Sequence, residues 1–211
     1  MDASERRVGR LLKLAGTTFA EQAGIRLTDK PMPLFELLVL SMLASKPIDA
    51  EIATRAAEEL FRAGLRTPTA VLSADRHTVT KAFGRAHYVR FDESSATRLT
   101  DIARQVRDDF GGDLRDIARC SDHNPQQAAR ILKEFTGIGD TGADIFLREV
   151  QDTWTWVRPY FDDRATAAAK ALRLPTEPAK LAAFAPRTNA RLAAALVRAS
   201  LDHEVRLQVT G

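Results

Sequence analysis

Gly137-Ile138-Gly139 joins an apolar segment (Ile131, Leu132, Phe135) to a second one with helical spacing (Ala143, Ile145, Phe146, Leu147, Val150). Two helices joined by a Gly-x-Gly turn form a helix-hairpin-helix. Glycine permits positive φ and close backbone approach, and the free N–H groups at the start of the next helix can hold a phosphate without a basic side chain. A plain interhelical turn is the alternative. About 25 positions further on stands Pro159-Tyr160-Phe161-Asp162-Asp163-Arg164. A carboxylate here can activate water or stabilise developing positive charge. Arg164, or the amino end of the helix that follows, would keep it ionised. Asp162 could equally be a helix N-cap, with Asp163 as a first-turn charge. Nearby, Trp154, Trp156, Tyr160 and Phe161 either stack on a planar ligand or cover the core.

The elements that must position these residues are helical throughout. Alanine is abundant, apolar residues recur at three and four, and β-branched runs are missing, which predicts an all-α fold. The spacing predicts one amphipathic helix over residues 3–25, broken by Lys30-Pro31-Met32-Pro33. Pro33 then opens a helix over Leu34–Ala44 that is apolar nearly all round and therefore central and buried. Asp49 caps residues 50–63, Thr67-Pro68 opens a short helix through Leu72, and another spans 76–83. His87–Glu93 reads as an irregular junction. Ser94–Phe110 is long, and Gly111-Gly112 stops it. A short helix runs from Asp113 to Ala118, and Asn124-Pro125 caps the first hairpin helix. Gln151–Pro159 reads as an ordered loop, followed by helical pieces over 163–172, 177–184 and 187–203. The alanine-leucine stripe of the last piece reads as core packing. With Asp162 as the cap, Ala165, Ala168, Ala169 and Leu172 share an apolar face. With Asp163 there, Thr166 and Ala169 turn inward instead, a poorer packing pattern.

The chain has 211 residues, 45% of them hydrophobic and 28% charged, and a formal net charge of +3. That permits a nucleic-acid partner without requiring one. One cysteine, Cys120, excludes an internal disulfide and any cysteine-only zinc or iron–sulfur site within the chain. The histidines show no ligand spacing, so no metal site built from side chains is expected. No run approaches the roughly 18 apolar residues of a membrane span. The amino terminus carries no apolar core followed by a cleavage site. A cytoplasmic protein, or a nucleoid-associated one in a bacterium, is the expectation.

In order and spacing, the helix FELLVLSMLAS, the hairpin Phe135-Thr136-Gly137-Ile138-Gly139 and Asp162 together resemble the helix-hairpin-helix (HhH-GPD) DNA glycosylase superfamily, the endonuclease III-like proteins of base excision repair. The resemblance covers roughly Pro33 to Leu174. It implies a two-lobed fold, with a six-helix barrel over residues 33–150 that ends in the hairpin (131–150). Residues 1–30 and 151–211 would form the second lobe of a single folded unit. It further implies that the hairpin, through Gly137, Ile138 and Gly139, holds a phosphate of double-stranded, damaged DNA. Asp162, or Asp163 in the other register, would then act on an extruded nucleotide. Lys46 falls where many relatives place a gap-filling glutamine. Arg164 becomes a candidate DNA contact, and Trp154, Tyr160 and Phe161 become candidates for the base pocket.

Two departures refine this expectation. The strand-cleaving branch carries a Schiff-base lysine where this chain has Thr141, which implies base removal by water without efficient strand cleavage. The four-cysteine iron–sulfur loop is missing, and the carboxy-terminal helices would replace its support. Family hairpins bind Na+ or K+ through backbone carbonyls, here those of Lys133, Phe135 and Ile138. The leading expectation is a monomeric, monofunctional DNA glycosylase. The alternative is a non-catalytic protein of the same fold that recognises damaged or abasic DNA. A lyase using another amine is a third reading.

Overall fold

A computed structural model describes residues 2–210 and contains fourteen α-helices and one short 3-10 turn, with no strand among the described residues. The chain divides into two units, residues 20–146 and residues 1–19 with 147–211. This division assigns residues 20–30 to the middle unit and 147–150 to the one that holds both termini.

The middle unit is built around α3 (Pro31–Ala44), which buries eleven side chains from Pro33 to Met42 and Leu43. A helix this apolar on every side is stable only when neighbours cover all of it. α4 (Ala50–Arg62) packs along it, and α6 (Arg76–Arg85) packs on α4. α7 (Asp92–Phe110) packs against α5 (Pro68–Ser73), α6 and α3. Asp49, Thr67 and Asn124 cap α4, α5 and α9 (Pro125–Lys133) through their side chains, as expected. Proline starts α3 at Pro31 rather than Pro33. The His87–Glu93 junction is anchored by Tyr88, which is fully buried. Its ring centroid lies 5.1 Å from that of Phe83, and its hydroxyl lies 3.2 Å from Ser95 Oγ. α8 (Asp116–Cys120) and α9 lead to the hairpin.

In the other unit α1 (Ala3–Ala15) opens with a capping box, in which Asp2 accepts from the Glu5 N–H and Glu5 accepts from the Asp2 N–H. The single helix expected over 3–25 is two, α1 and the short α2 (Phe19–Gln22), because Gly16-Thr17-Thr18 interrupts it. α13 (Asn189–Leu201) packs on α1 and on α11 (Asp163–Ala171), and its alanine-leucine stripe is buried as core. α12 (Pro178–Ala183) lies between α11 and α13 in the chain. The final helix expected over 187–203 ends at Leu201. Asp202 then caps a further helix, α14 (His203–Thr210), by accepting from the Glu204 N–H at 2.8 Å.

Candidate functional site

The Gly137-Ile138-Gly139 turn, expected as the hairpin, lies between α9 and α10 (Asp140–Val150). Gly137 has φ +89°, a conformation open to glycine at little cost, and a Cβ there would stand 2.7 Å from Arg98 Cδ. The turn is clamped from α7. Gln105 Nε2 donates to the Glu134 carbonyl at 3.1 Å, and Gln105 Oε1 accepts the Thr136 N–H at 2.8 Å. Phe135 is buried and stacks on Phe110, centroids 5.4 Å apart. Ile138 is buried, and Gly142 brings α10 close to α3, since a Cβ at Gly142 would lie 3.7 Å from the Ser41 carbonyl. The turn is thus held rigidly from beneath.

Its outer side is open to solvent. Gly139, Asp140 and Thr141 are exposed. Among the described residues no hydrogen bond uses the N–H of Gly137 or Gly139, and the first N–H groups of α10 have no intrahelical acceptor. Gly139 lies outside the left-handed region, and nothing lies within 4 Å of a Cβ built there. The fold itself does not require glycine at that position. Arg98, whose side chain lies against Gly137, makes no ion pair or hydrogen bond with the described residues. Asp140 opposes this positive character. It stands at the first position of α10, paired with Lys133 at 2.8 Å, and Lys133 holds its carboxyl below the usual range. The Phe135 carbonyl, one of three proposed cation ligands with those of Lys133 and Ile138, already accepts the Ile138 N–H at 3.0 Å. Lys46 is half-buried in the turn after α3.

Asp162 is the N-cap of α11, accepting from the Ala165 N–H at 2.8 Å. Ala165, Ala168, Ala169 and Leu172 are all buried, as the register starting at Asp162 requires. The second carboxylate oxygen accepts from Arg148 Nη1, and both side chains are 5% exposed. Of the two partners expected from the sequence, the amino end of α11 meets Asp162 through the Ala165 N–H, whereas Arg164 is exposed, because residues two apart on a helix do not share a face. Arg148 also stands over the Phe19 ring, 5.8 Å from its centroid. Asp163 is exposed. Gln151 ties the loop down. Its Nε2 donates to the Arg148 and Tyr160 carbonyls at 3.0 and 2.9 Å, and its Oε1 accepts the Tyr160 N–H. Trp154 and Phe161 are buried, while Tyr160 and Trp156 are half-buried. Trp154 stacks on Trp156 with centroids 5.4 Å apart. Of the aromatic candidates, only the half-buried ones present a face in this conformation.

Two kinds of residue escaped the sequence reading. Gln105 and Arg98 reach the hairpin from α7, roughly thirty to forty positions away, with no local pattern to announce them. Arg148 could have been noticed as an arginine within an otherwise apolar helical stripe. Among the described residues no group of three or more histidine, cysteine or acidic side chains could hold a metal ion. No helix among them is long and apolar enough to cross a membrane. No family model matches the chain, and no curated protein matches it.

Proposed function

We propose that the protein binds damaged double-stranded DNA in base excision repair, holding a backbone phosphate at the hairpin, on an endonuclease III-like fold. The carrying observation is the pair of uncommitted N–H groups at Gly137 and Gly139, with a glycine at 139 that the fold does not need. A Cβ-free position on an exposed turn serves a partner that comes close to the backbone. The Arg98 guanidinium beside Gly137 adds a charge for an adjacent phosphate. Lys46 and Arg164 are further contacts on this reading, and Na+ or K+ would sit on the hairpin carbonyls. The protein would act as a monomer in the cytoplasm, at the nucleoid in a bacterium.

Base hydrolysis by a monofunctional glycosylase is the second reading. Asp162 favours it, as a carboxylate at the amino end of α11 in the register where that helix packs. Such an enzyme must first open the Asp162–Arg148 pair, because Arg148 and the Ala165 N–H engage both oxygens of a carboxylate that is only 5% exposed. Thr141 supplies no amine for a Schiff base. The test is a set of duplexes carrying alkylated, deaminated, oxidised and abasic positions, measured for binding and for base release. Binding above that to undamaged duplex, with no release, supports the first reading. Release that is lost in Asp162→Asn, in protein that circular dichroism shows to be folded, supports the second. Failure to bind any of these duplexes contradicts both.

A further inference from the structure

The middle unit contains a cavity of about 930 Å³ beside the start of α3 and the end of α7, in the size range of small-molecule sites. Its walls include Pro31, Met32 and Pro68, and its rim carries Arg26, Lys30, Arg66 and Arg107. Arg107 is occupied by its bidentate contact with Asp108. Arg26 and Lys30 are exposed and make no ion pair with the described residues. Arg66 is held differently. Its Nε donates to Oε1 of Glu36, a side chain only 1% exposed, and its two Nη groups have no partner among the described residues.

This arrangement is costly as a purely structural feature. Burial pushes the Glu36 carboxyl above its usual range, and its Oε2 has no hydrogen-bond partner. A buried carboxylate with one oxygen unmet stabilises a fold less well than an apolar side chain of similar size. What Glu36 does accomplish is to fix the guanidinium of Arg66 by its Nε, leaving the Nη edge for a second anion. Arginine binds phosphate bidentately through such an edge. Two more cationic heads lie on the same rim. A phosphate monoester carries a charge of about −1.5 to −2 near neutral pH, and the apolar walls would cover the body that bears it.

We propose that this cavity binds a small phosphate monoester carried on an apolar or aromatic body, with Arg66, Arg26 and Lys30 holding the phosphate and Glu36 positioning Arg66. Isothermal titration of the full chain with adenosine monophosphate, phenyl phosphate, adenosine and inorganic phosphate tests this and separates the possible sources. At least one of the two monoesters should bind, at least tenfold more tightly than inorganic phosphate, and adenosine should not bind. Arg26→Gln and Lys30→Gln alter exposed side chains without an ion pair among the described residues, and each should weaken binding severalfold; Arg66→Gln, which also removes the partner of the buried Glu36, should do the same in protein whose melting curve shows it folded at the titration temperature. Arg66→Lys, which keeps the charge but loses the fork, should bind no better than Arg66→Gln. Glu36→Gln retains an acceptor for Arg66 Nε and should preserve more affinity than Glu36→Ala at equal melting temperature, a difference a merely structural role would not produce. Failure of both monoesters to bind at millimolar concentration overturns the proposal. So does inorganic phosphate binding as tightly as they do, or unchanged affinity in the three glutamine variants.

Discussion

Replacing Gly139 with alanine separates what the fold needs from what a partner needs. Gly139 lies outside the left-handed region, and a Cβ there meets no atom within 4 Å. Gly→Ala at a position whose backbone alanine can adopt stabilises by about 0.4–1 kcal/mol, through the lower entropy of the unfolded chain. On the proposed reading, the same Cβ would crowd a phosphate that approaches the Gly139 amide closely. A hydrogen bond to a charged group contributes about 1.5–3 kcal/mol, so its loss lowers DNA affinity about tenfold to a hundredfold. Gly137→Ala is the control of opposite sign. Its φ of +89° and the 2.7 Å approach to Arg98 make the substitution destabilising, on the order of 1–2 kcal/mol from the backbone alone. Urea unfolding reads stability, and fluorescence anisotropy with an abasic-site duplex at fixed salt reads affinity. The reasoning is refuted if Gly139→Ala gains stability and binds DNA as tightly as the wild type.

The remaining predictions concern charge. Asp162→Asn preserves an acceptor for the Ala165 N–H but strands Arg148 in the interior, so it should destabilise by about 3–5 kcal/mol in urea; a loss near zero would show that the pair is not a closed one. Arg98→Ala should leave stability within about 0.5 kcal/mol, while it weakens DNA binding and reduces the salt slope of the affinity by about one. Asp140→Asn removes an exposed negative charge from the hairpin and should raise DNA affinity severalfold at low salt, with the gain shrinking as salt is added. The Glu36 carboxyl is raised by burial, so its contribution to stability is present below the unfolded-state value and is lost as pH rises through the higher folded value. Urea midpoints should therefore fall as pH climbs above the ordinary value of 4.5, and Glu36→Gln should flatten that decline.

Local chemistry was legible in the sequence, and long-range partnership was not. The caps at Asp49, Thr67, Asn124 and Asp162 act within three residues of themselves, so their sequence signals were sufficient. The all-round apolar character of α3 announced its burial in the same way. The cap at Asp202 was just as local and was missed because the alanine-leucine pattern of α13 runs into it without a proline or glycine. By contrast, the partner of Asp162 is Arg148, fourteen positions earlier on a different helix. A nearer arginine, Arg164, was the obvious candidate by sequence and faces solvent. Gln105 and Arg98 meet the hairpin only because α7 packs beneath it, a relation that no periodicity within either segment encodes. Trp154 and Phe161 illustrate the same limit, since an aromatic near a loop reads alike whether it faces a ligand or the core.

The most direct test of the hairpin's role is an amide chemical-shift titration of the full chain with a short duplex containing an abasic-site analogue. The account predicts that the Gly137 and Gly139 amides shift progressively and saturate together with the bulk binding curve, and that the Gly139 response disappears in Gly139→Ala along with most of the affinity. Saturable DNA binding that leaves both glycine amides unmoved would contradict it, as would no binding at all.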